Sequence, residues 1–325
     1  GRRAAFARKS DPFGAGGPGT RDDRLAPLAP RPGAPYTRPL DELTLPELGA
    51  VLRWFGPFRS AERLLPKYSY ASPGALYATQ LYVESGGVAD LAPGVYYHHP
   101  AEHTLVRVGE PTGRCREGGL ALHFLGKRRA IEPVYRTNIE EVLEFETGHM
   151  LGVFEEVLPA HGLTVAPLGR FPEVKAALDV AEEDHYVGTF EITANDGRPR
   201  RDPTELFVQA HPGRVEGLPA GQYRYREGRL EPLGAELIEP RHVIAINQGV
   251  HARASFGISA VSRAGEPWLE YVCLGTRLHH LQRVPGFGFM SSGYSSKSGH
   301  PLPAARRLDD ILGAEQTPEA AAEGA

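Results

Sequence analysis

Two short stretches concentrate the side chains that could do chemistry. The first, residues 65–77, reads Leu-Pro-Lys-Tyr-Ser-Tyr-Ala-Ser-Pro-Gly-Ala-Leu-Tyr. Its Ser69, Tyr70, Ser72, Pro73 and Gly74 spell a tight turn ahead of a strand, which offers a ligand backbone N–H groups and hydroxyl oxygens. Lys67 beside Tyr68 sets a fixed cation next to a titratable phenol, a pairing suited to proton transfer. The second stretch, residues 286–299, is dense in Gly and Ser; it carries Ser291, Ser292, Ser295 and Lys297, and Arg306 and Arg307 follow. Approachable N–H groups, hydroxyls and cations are what a phosphate cradle requires. The glycine order fits neither a Walker A loop nor a dinucleotide fingerprint, and no Gly-x-Ser-x-Gly elbow occurs. On pattern alone, an aromatic-rich loop and a surface loop stay open as readings of the two stretches.

The histidines do not make a metal site by spacing. His98 and His99 are adjacent on an expected strand and point to opposite faces, His103 follows a Pro turn, and His279-His280 is likewise an adjacent pair. The two cysteines, Cys115 and Cys273, have neither Cys-x-x-Cys spacing nor a paired framework, which suits free thiols in a reducing cytoplasm. Lys127-Arg128-Arg129 reads as solvated surface.

The elements that must position these residues alternate along the chain. Residues 43–54 form an expected helix with Leu45, Leu48, Val51 and Leu52 on one face. Residues 80–84, 95–98 and 104–108 read as strands. Thr137-Asn138-Ile139-Glu140 fits a capping box opening a helix that Pro159 and Gly162 stop; further helices follow Pro240 and cover about 268–282. An internal repeat runs through this pattern. Leu81-Tyr82-Val83 and then Leu91-Ala92-Pro93-Gly94-Val95-Tyr96 recurs as Leu206-Phe207-Val208 and then Leu218-Pro219-Ala220-Gly221-Gln222-Tyr223. Each copy then has a strand partner, a helix and a Gly-aliphatic turn, at Gly162 and Gly257, with the second copy abridged. The expected organisation is a Pro/Gly-rich lead-in at 1–40, copy one at 41–195, copy two at 196–312 and a tail at 313–325.

At 325 residues, 41% hydrophobic and 23% charged, the composition is that of a globular protein with ample core. A net charge of −4 gives no bulk attraction to nucleic acid or anionic membrane. No apolar run approaches the ~20 residues that span a bilayer.

These segments together resemble FMN-dependent nitroreductase-like oxidoreductases, above all the oxidase domains embedded in nonribosomal peptide synthetases of the indigoidine-synthetase type. The azoline dehydrogenases of peptide maturation are more distant look-alikes. The matching stretches are 66–83, 94–106, 145–169, 214–223, 247–261 and 290–308, and the Ser-Ser-Gly-Tyr-Ser-Ser-Lys-Ser-Gly run is the most specific. The resemblance implies an α+β fold, a mainly antiparallel sheet flanked by helices, with the two copies fused into an intrachain pseudo-dimer that holds one FMN. It carries Ser69, Tyr70, Ser72, Gly74 and Gln80 onto the flavin ring and ribityl chain. It likewise carries Ser291, Ser292, Ser295, Lys297 and Arg306 onto the phosphate, and Lys67-Tyr68 onto the catalytic pair of the azoline dehydrogenases. An N-terminal Arg-Arg-Ser phosphate motif is absent in clear form, with Arg59-Ser60 a partial substitute.

The implied activity removes two hydrogens from an aminoacyl or peptidyl group tethered to a carrier protein, with O2 reoxidising the flavin. Either Cα–Cβ dehydrogenation or thiazoline-to-thiazole oxidation fits, beside neighbouring synthetase domains in the cytoplasm. A NAD(P)H-dependent nitro or quinone reductase and a flavin-free scaffold are the alternatives.

Overall fold

The computed structural model describes residues 37–57, 68–136, 138–178, 180–197, 202–226, 228–243 and 245–283. They fall into two compact units divided between Arg201 and Asp202.

The first unit opens with helix α1 (Leu45–Leu52), which continues as a 3-10 turn through Phe55. Thr44 and Glu47 cap it reciprocally, satisfying two N–H groups that a helix start leaves open. Strands β1 (Thr79–Ser85), β2 (Gly94–His99), β3 (Thr104–Gly109), β4 (Leu120–Gly126), β5 (Leu163–Gly169) and β6 (His185–Ala194) form one sheet in the order β3-β2-β1-β4-β6-β5. Every pairing is antiparallel. Between β4 and β5 lie the short helix α2 (Arg128–Ile131) and the long helix α3 (Ile139–Val157).

The sheet is covered on both faces. On one, Phe154 of α3 stacks on Phe55 at 4.2 Å and meets Phe124 of β4 edge-on at 6.4 Å. On the other, Tyr82, Val95, Tyr97, Leu125 and Tyr186 pack against Val174 and Leu178 of a 3-10 segment, Pro172–Leu178. Gly126 is where α3 comes closest, since a Cβ there would lie 2.4 Å from a Leu143 methyl.

The second unit has a four-stranded antiparallel sheet, order β10-β7-β8-β9, from β7 (Thr204–Ala210), β8 (Gly221–Arg226), β9 (Arg229–Gly234) and β10 (Phe256–Ser262). Helix α4 (Ala245–Arg253) precedes β10 and α5 (Pro267–Arg283) follows it. The internal repeat is visible in local detail. Tyr96 donates its hydroxyl to the Ala92 carbonyl at 2.8 Å, and Tyr223 to the Pro219 carbonyl at 2.7 Å. The pairing register shifts at Val95/Tyr96 in one copy and at Gln222/Tyr223 in the other. At Gly94 and Gly221 an added Cβ would come within 3.1 and 2.8 Å of the facing Gly109 and Gly234 carbonyls, which explains the paired glycines.

Three local expectations are corrected. The cap of α3 is Asn138, in a left-handed conformation without a side-chain cap bond, rather than a Thr137–Glu140 box; Glu140 turns to His185 instead, and Thr137 lies outside the described residues. Gly162 caps a 3-10 turn that leads straight into β5, but Gly257 lies inside β10, so the second Gly-aliphatic motif is strand and not turn. Lys127 is not solvated surface. It is buried and paired with Asp184 at 2.8 Å, because its N–H is already bonded to the Ala78 carbonyl and draws it into the sheet end. Arg129, two residues on, does face solvent.

Candidate functional site

The approach to β1 is the described part of the first chemistry-bearing stretch. Gly74, Ala75 and Tyr77 take positive φ values of 63, 54 and 50°, a conformation Gly tolerates and a tyrosine does not adopt without cost. What holds them is a buried carboxylate. Glu146 of α3, 1% exposed, accepts the Thr79 N–H and the Ser72 hydroxyl, each at 3.0 Å. Ser72 Oγ in turn accepts the Tyr77 N–H at 2.7 Å, and the Ala75 N–H reaches the Ser72 carbonyl at 2.9 Å.

Three tyrosines line this turn. Tyr68, 8% exposed, stacks on Tyr77 with ring centroids 3.8 Å apart, and Tyr70 meets both edge-on at 5.8 and 5.7 Å. Burial first, and the Glu146 charge next, push the Tyr70 phenol well above its ordinary value, so it is a neutral hydroxyl at any working pH. Three buried hydroxyls here, Ser69 Oγ, Tyr70 OH and Thr79 Oγ1, have no hydrogen-bond partner among the described residues. Buried polar atoms without partners are rare in native folds and mark places where something else bonds them. Gln80 is committed otherwise: its amide bonds the hydroxyls of Tyr97 at 3.4 Å and Tyr82 at 3.3 Å on the opposite sheet face.

The structure therefore brings Tyr68, Ser69, Tyr70, Ser72 and Gly74 together, while Gln80, the second residue of β1, is turned away. Lys67, Arg59-Ser60, Ser291, Ser292, Ser295, Lys297 and Arg306 lie outside the described residues. Glu146, Thr79 and Tyr77 were missed by the sequence reading. The signal for Glu146 was present: it falls on the apolar stripe of α3 between Leu143 and Met150, where a carboxylate is out of place unless paired.

The same end of the sheet carries a second charged arrangement. Thr79 pairs with Gly126 and Gly126 with His185, so these three residues form one row across β1, β4 and β6. His185 lies between Glu144 at 3.0 Å and Glu140 at 3.6 Å, and with Arg128, Arg170 and Asp184 it borders a cavity of about 430 Å³. Among the described residues no group of three His, Cys, Asp or Glu side chains is arranged to hold a metal, and no helix is long and apolar enough to cross a membrane. Cys115 is a free thiol whose pKa burial raises to about 11.

No protein-family model matches the chain. It is 53% identical over 316 residues to an indigoidine synthase of Streptomyces lavendulae and 47% identical over 313 residues to one of Dickeya dadantii. Each match covers 96% of this chain but only 24% and 21% of the relative, so the chain corresponds to about a quarter or a fifth of those synthases. In fold it is similar to the crystal structure of a nitroreductase-type protein from Anabaena variabilis, with a TM-score of 0.54 over 85% of this chain and 88% of that one at 13% identity. By sequence the chain is a homologue of one segment of the indigoidine synthases, and by fold it is nitroreductase-like.

Proposed function

We propose that this chain is the FMN-dependent oxidase part of a larger peptide-assembly synthase. It would take two hydrogens from an aminoacyl or peptidyl group presented on a carrier protein, with O2 as the final acceptor. The observation that carries this reading is a set of three buried hydroxyls, Ser69, Tyr70 and Thr79, on either side of a positive-φ turn and without a hydrogen-bond partner among the described residues, in a nitroreductase-like fold. Hydroxyls can give and accept hydrogen bonds, which suits the polar edge of a flavin ring. Bound there, FMN supplies a two-electron acceptor for the substrate's hydride.

The chain's own residues have the remaining work. Tyr68, beside these hydroxyls, is the candidate to accept the substrate proton, and Lys67, its neighbour in sequence, is the candidate cation to stabilise the phenolate and the negative charge that arrives with the hydride. Ser291, Ser292, Ser295, Lys297 and Arg306 are the candidates for the phosphate. The substrate loses one proton and one hydride and gains a double bond, and O2 is reduced to hydrogen peroxide.

The test is direct. The purified chain should take up FMN, and incubation in air with an aminoacyl- or peptidyl-carrier protein should lower the mass of the carried group by about 2 Da, the mass of the two hydrogens removed. A chain that stays colourless after incubation with FMN rules the reading out. Flavin bleaching by NADPH with no change in any carrier-bound group would make it a reductase instead.

A further inference from the structure

We infer that the cavity beside the start of β6 is a second binding site of this chain, for a small zwitterion with a free amine and a free carboxylate, an α-amino acid or a dipeptide. It stands apart from the turn before β1 and does not depend on the flavin reading. Thr79, Gly126 and His185 share one row across the sheet end, and helix α3 crosses that row with Leu143 packed on Gly126. On one side of this contact Glu146 meets Thr79, and on the other Glu144 meets His185. The cavity lies on the His185 side and measures about 430 Å³. Apart from Pro172 and Tyr186, every residue that lines it is Arg, Lys, His, Asp or Glu, a lining for a small charged ligand and not for an apolar one.

The floor of the cavity is buried and fixed. Lys127 holds Asp184 at 2.8 Å, and His185 Nε2 holds Glu144 at 3.0 Å. Buried pairs of this kind add little stability over well-packed apolar side chains, so their place under a cleft points to recognition. His185 is 7% exposed, and its second nitrogen, Nδ1, stands 3.6 Å from the Glu140 carboxylate at the cavity edge, beyond a hydrogen bond. With Nε2 donating to Glu144, the neutral imidazole offers its Nδ1 lone pair at that edge. Nδ1 and the Glu140 carboxylate together accept the N–H groups of a ligand ammonium.

The rim supplies the opposite charge. Arg129 takes Glu183 at 2.7 Å, which leaves Arg128, Arg170 and Lys175 as lining cations facing the Glu140 and Glu182 carboxylates. Arg170 has no ion pair or hydrogen bond among the described residues. Arg128 lies 3.8 Å from Glu140 and 3.9 Å from Glu132, and Lys175 donates to the Glu182 carbonyl. Arg170 and Arg128 therefore offer guanidinium forks to a ligand carboxylate. A simple anion would meet Glu140 and Glu182, and a simple cation would meet three positive side chains; a zwitterion answers both signs. Its carboxylate must be free, so an aminoacyl group tethered to a carrier through its carboxyl is not the ligand of this cavity.

The experiment is titration calorimetry on the full chain without flavin, with L-alanine, L-leucine, L-lysine, L-glutamate and L-alanyl-L-alanine as probes. At least one should bind, and its N-acetyl derivative and its amide should each bind at least about 10-fold more weakly, since each loses one charge-assisted contact. Arg170→Ala and Glu140→Gln change only the exposed rim, and thermal melts should show both folded as wild type. Each should weaken the probe by about 10-fold or more, the worth of a hydrogen bond to a charged group. Arg107→Ala, on the far edge strand β3, should leave binding unchanged. A preference for the dipeptide over every single amino acid would identify the longer zwitterion as the occupant. Failure of all five probes to bind overturns the inference. So does an N-acetyl derivative or an amide that binds as tightly as its parent, which would make the cavity a simple anion or amine site. Wild-type affinity in both Arg170→Ala and Glu140→Gln would put the ligand elsewhere and overturn it as well.

Discussion

His123 and Glu84 face each other at 2.8 Å between β4 and β1, and neither side chain has exposed surface. Glu84 also accepts from the Thr112 hydroxyl at 2.6 Å and the Thr112 N–H at 2.8 Å, while His123 Nδ1 lies 2.8 Å from Thr189 Oγ1, itself bonded to the Tyr186 hydroxyl. An ionised carboxylate can only accept, so His123 donates to Glu84 from Nε2. Burial pushes the Glu84 pKa up, but the bonds from His123 and Thr112 outweigh it and hold it below the ordinary value.

Removing one partner from this pair should be worse than removing both. His123→Leu leaves a buried carboxylate short of a donor and should cost about 3–5 kcal/mol, read from urea unfolding. Adding Glu84→Leu should recover a good part of that loss. Single variants within about 1 kcal/mol of wild type would mean the pair carries no such coupling.

Much of the architecture was legible because it rests on local pattern. Leu48, Val51 and Leu52 recur at helical spacing and are all buried in α1, and the paired Pro/Gly turns at Pro93-Gly94 and Pro219-Ala220-Gly221 announced the hairpins that became β2 and β8. The polar anchors were not legible, since their partners are far apart in sequence. Ser72 and Glu146 are 74 residues apart and Glu84 and His123 are 39 apart, so only folding shows that they meet. The repeat hid a similar lesson. Glu84 and Gln209 hold equivalent strand positions, and each accepts an N–H from the segment after its third strand, Thr112 in one copy and Ile238 in the other.

Lys127 and Arg129 lie in one basic run but should respond to mutation very differently. Lys127→Ala strands the buried Asp184 carboxylate and should cost about 3 kcal/mol or more. Arg129 is 82% exposed, and its bond to Glu183 should be worth less than about 1 kcal/mol. Equal effects in thermal melts would contradict the burial of Lys127.

The second unit should be sensitive to mild acid. Burial first, then His251 and Arg214, lower the His211 pKa to about 4, and burial lowers His251 as well. In the unfolded chain a histidine titrates near ~6.5, so between these values the unfolded state binds a proton that the native state refuses. Stability is therefore undiminished above pH ~6.5 and declines as the pH falls toward 4. His211→Gln should flatten that decline in melts recorded across the range. An unchanged slope would assign it to other groups.

The last prediction concerns Tyr68, whose surroundings make its hydroxyl separable from its ring. The ring stacks on Tyr77 at 3.8 Å and is 8% exposed, so Tyr68→Phe keeps the packing and deletes one oxygen. A free phenol titrates near ~10 and is a poor base at neutral pH, which is why the neighbouring Lys67 cation matters to the role assigned to Tyr68. If Tyr68 accepts the substrate proton, Tyr68→Phe should slow single-turnover flavin reduction by carrier-bound substrate by about 10²- to 10⁴-fold, and Lys67→Ala should act in the same direction. FMN content should persist in Tyr68→Phe, since the Ser69, Tyr70 and Thr79 hydroxyls and the Glu146 anchor are untouched. Loss of flavin in Tyr68→Phe would make the hydroxyl a cofactor contact. Reduction at the wild-type rate in both variants would leave Tyr68 as the wall of the site and require another proton acceptor.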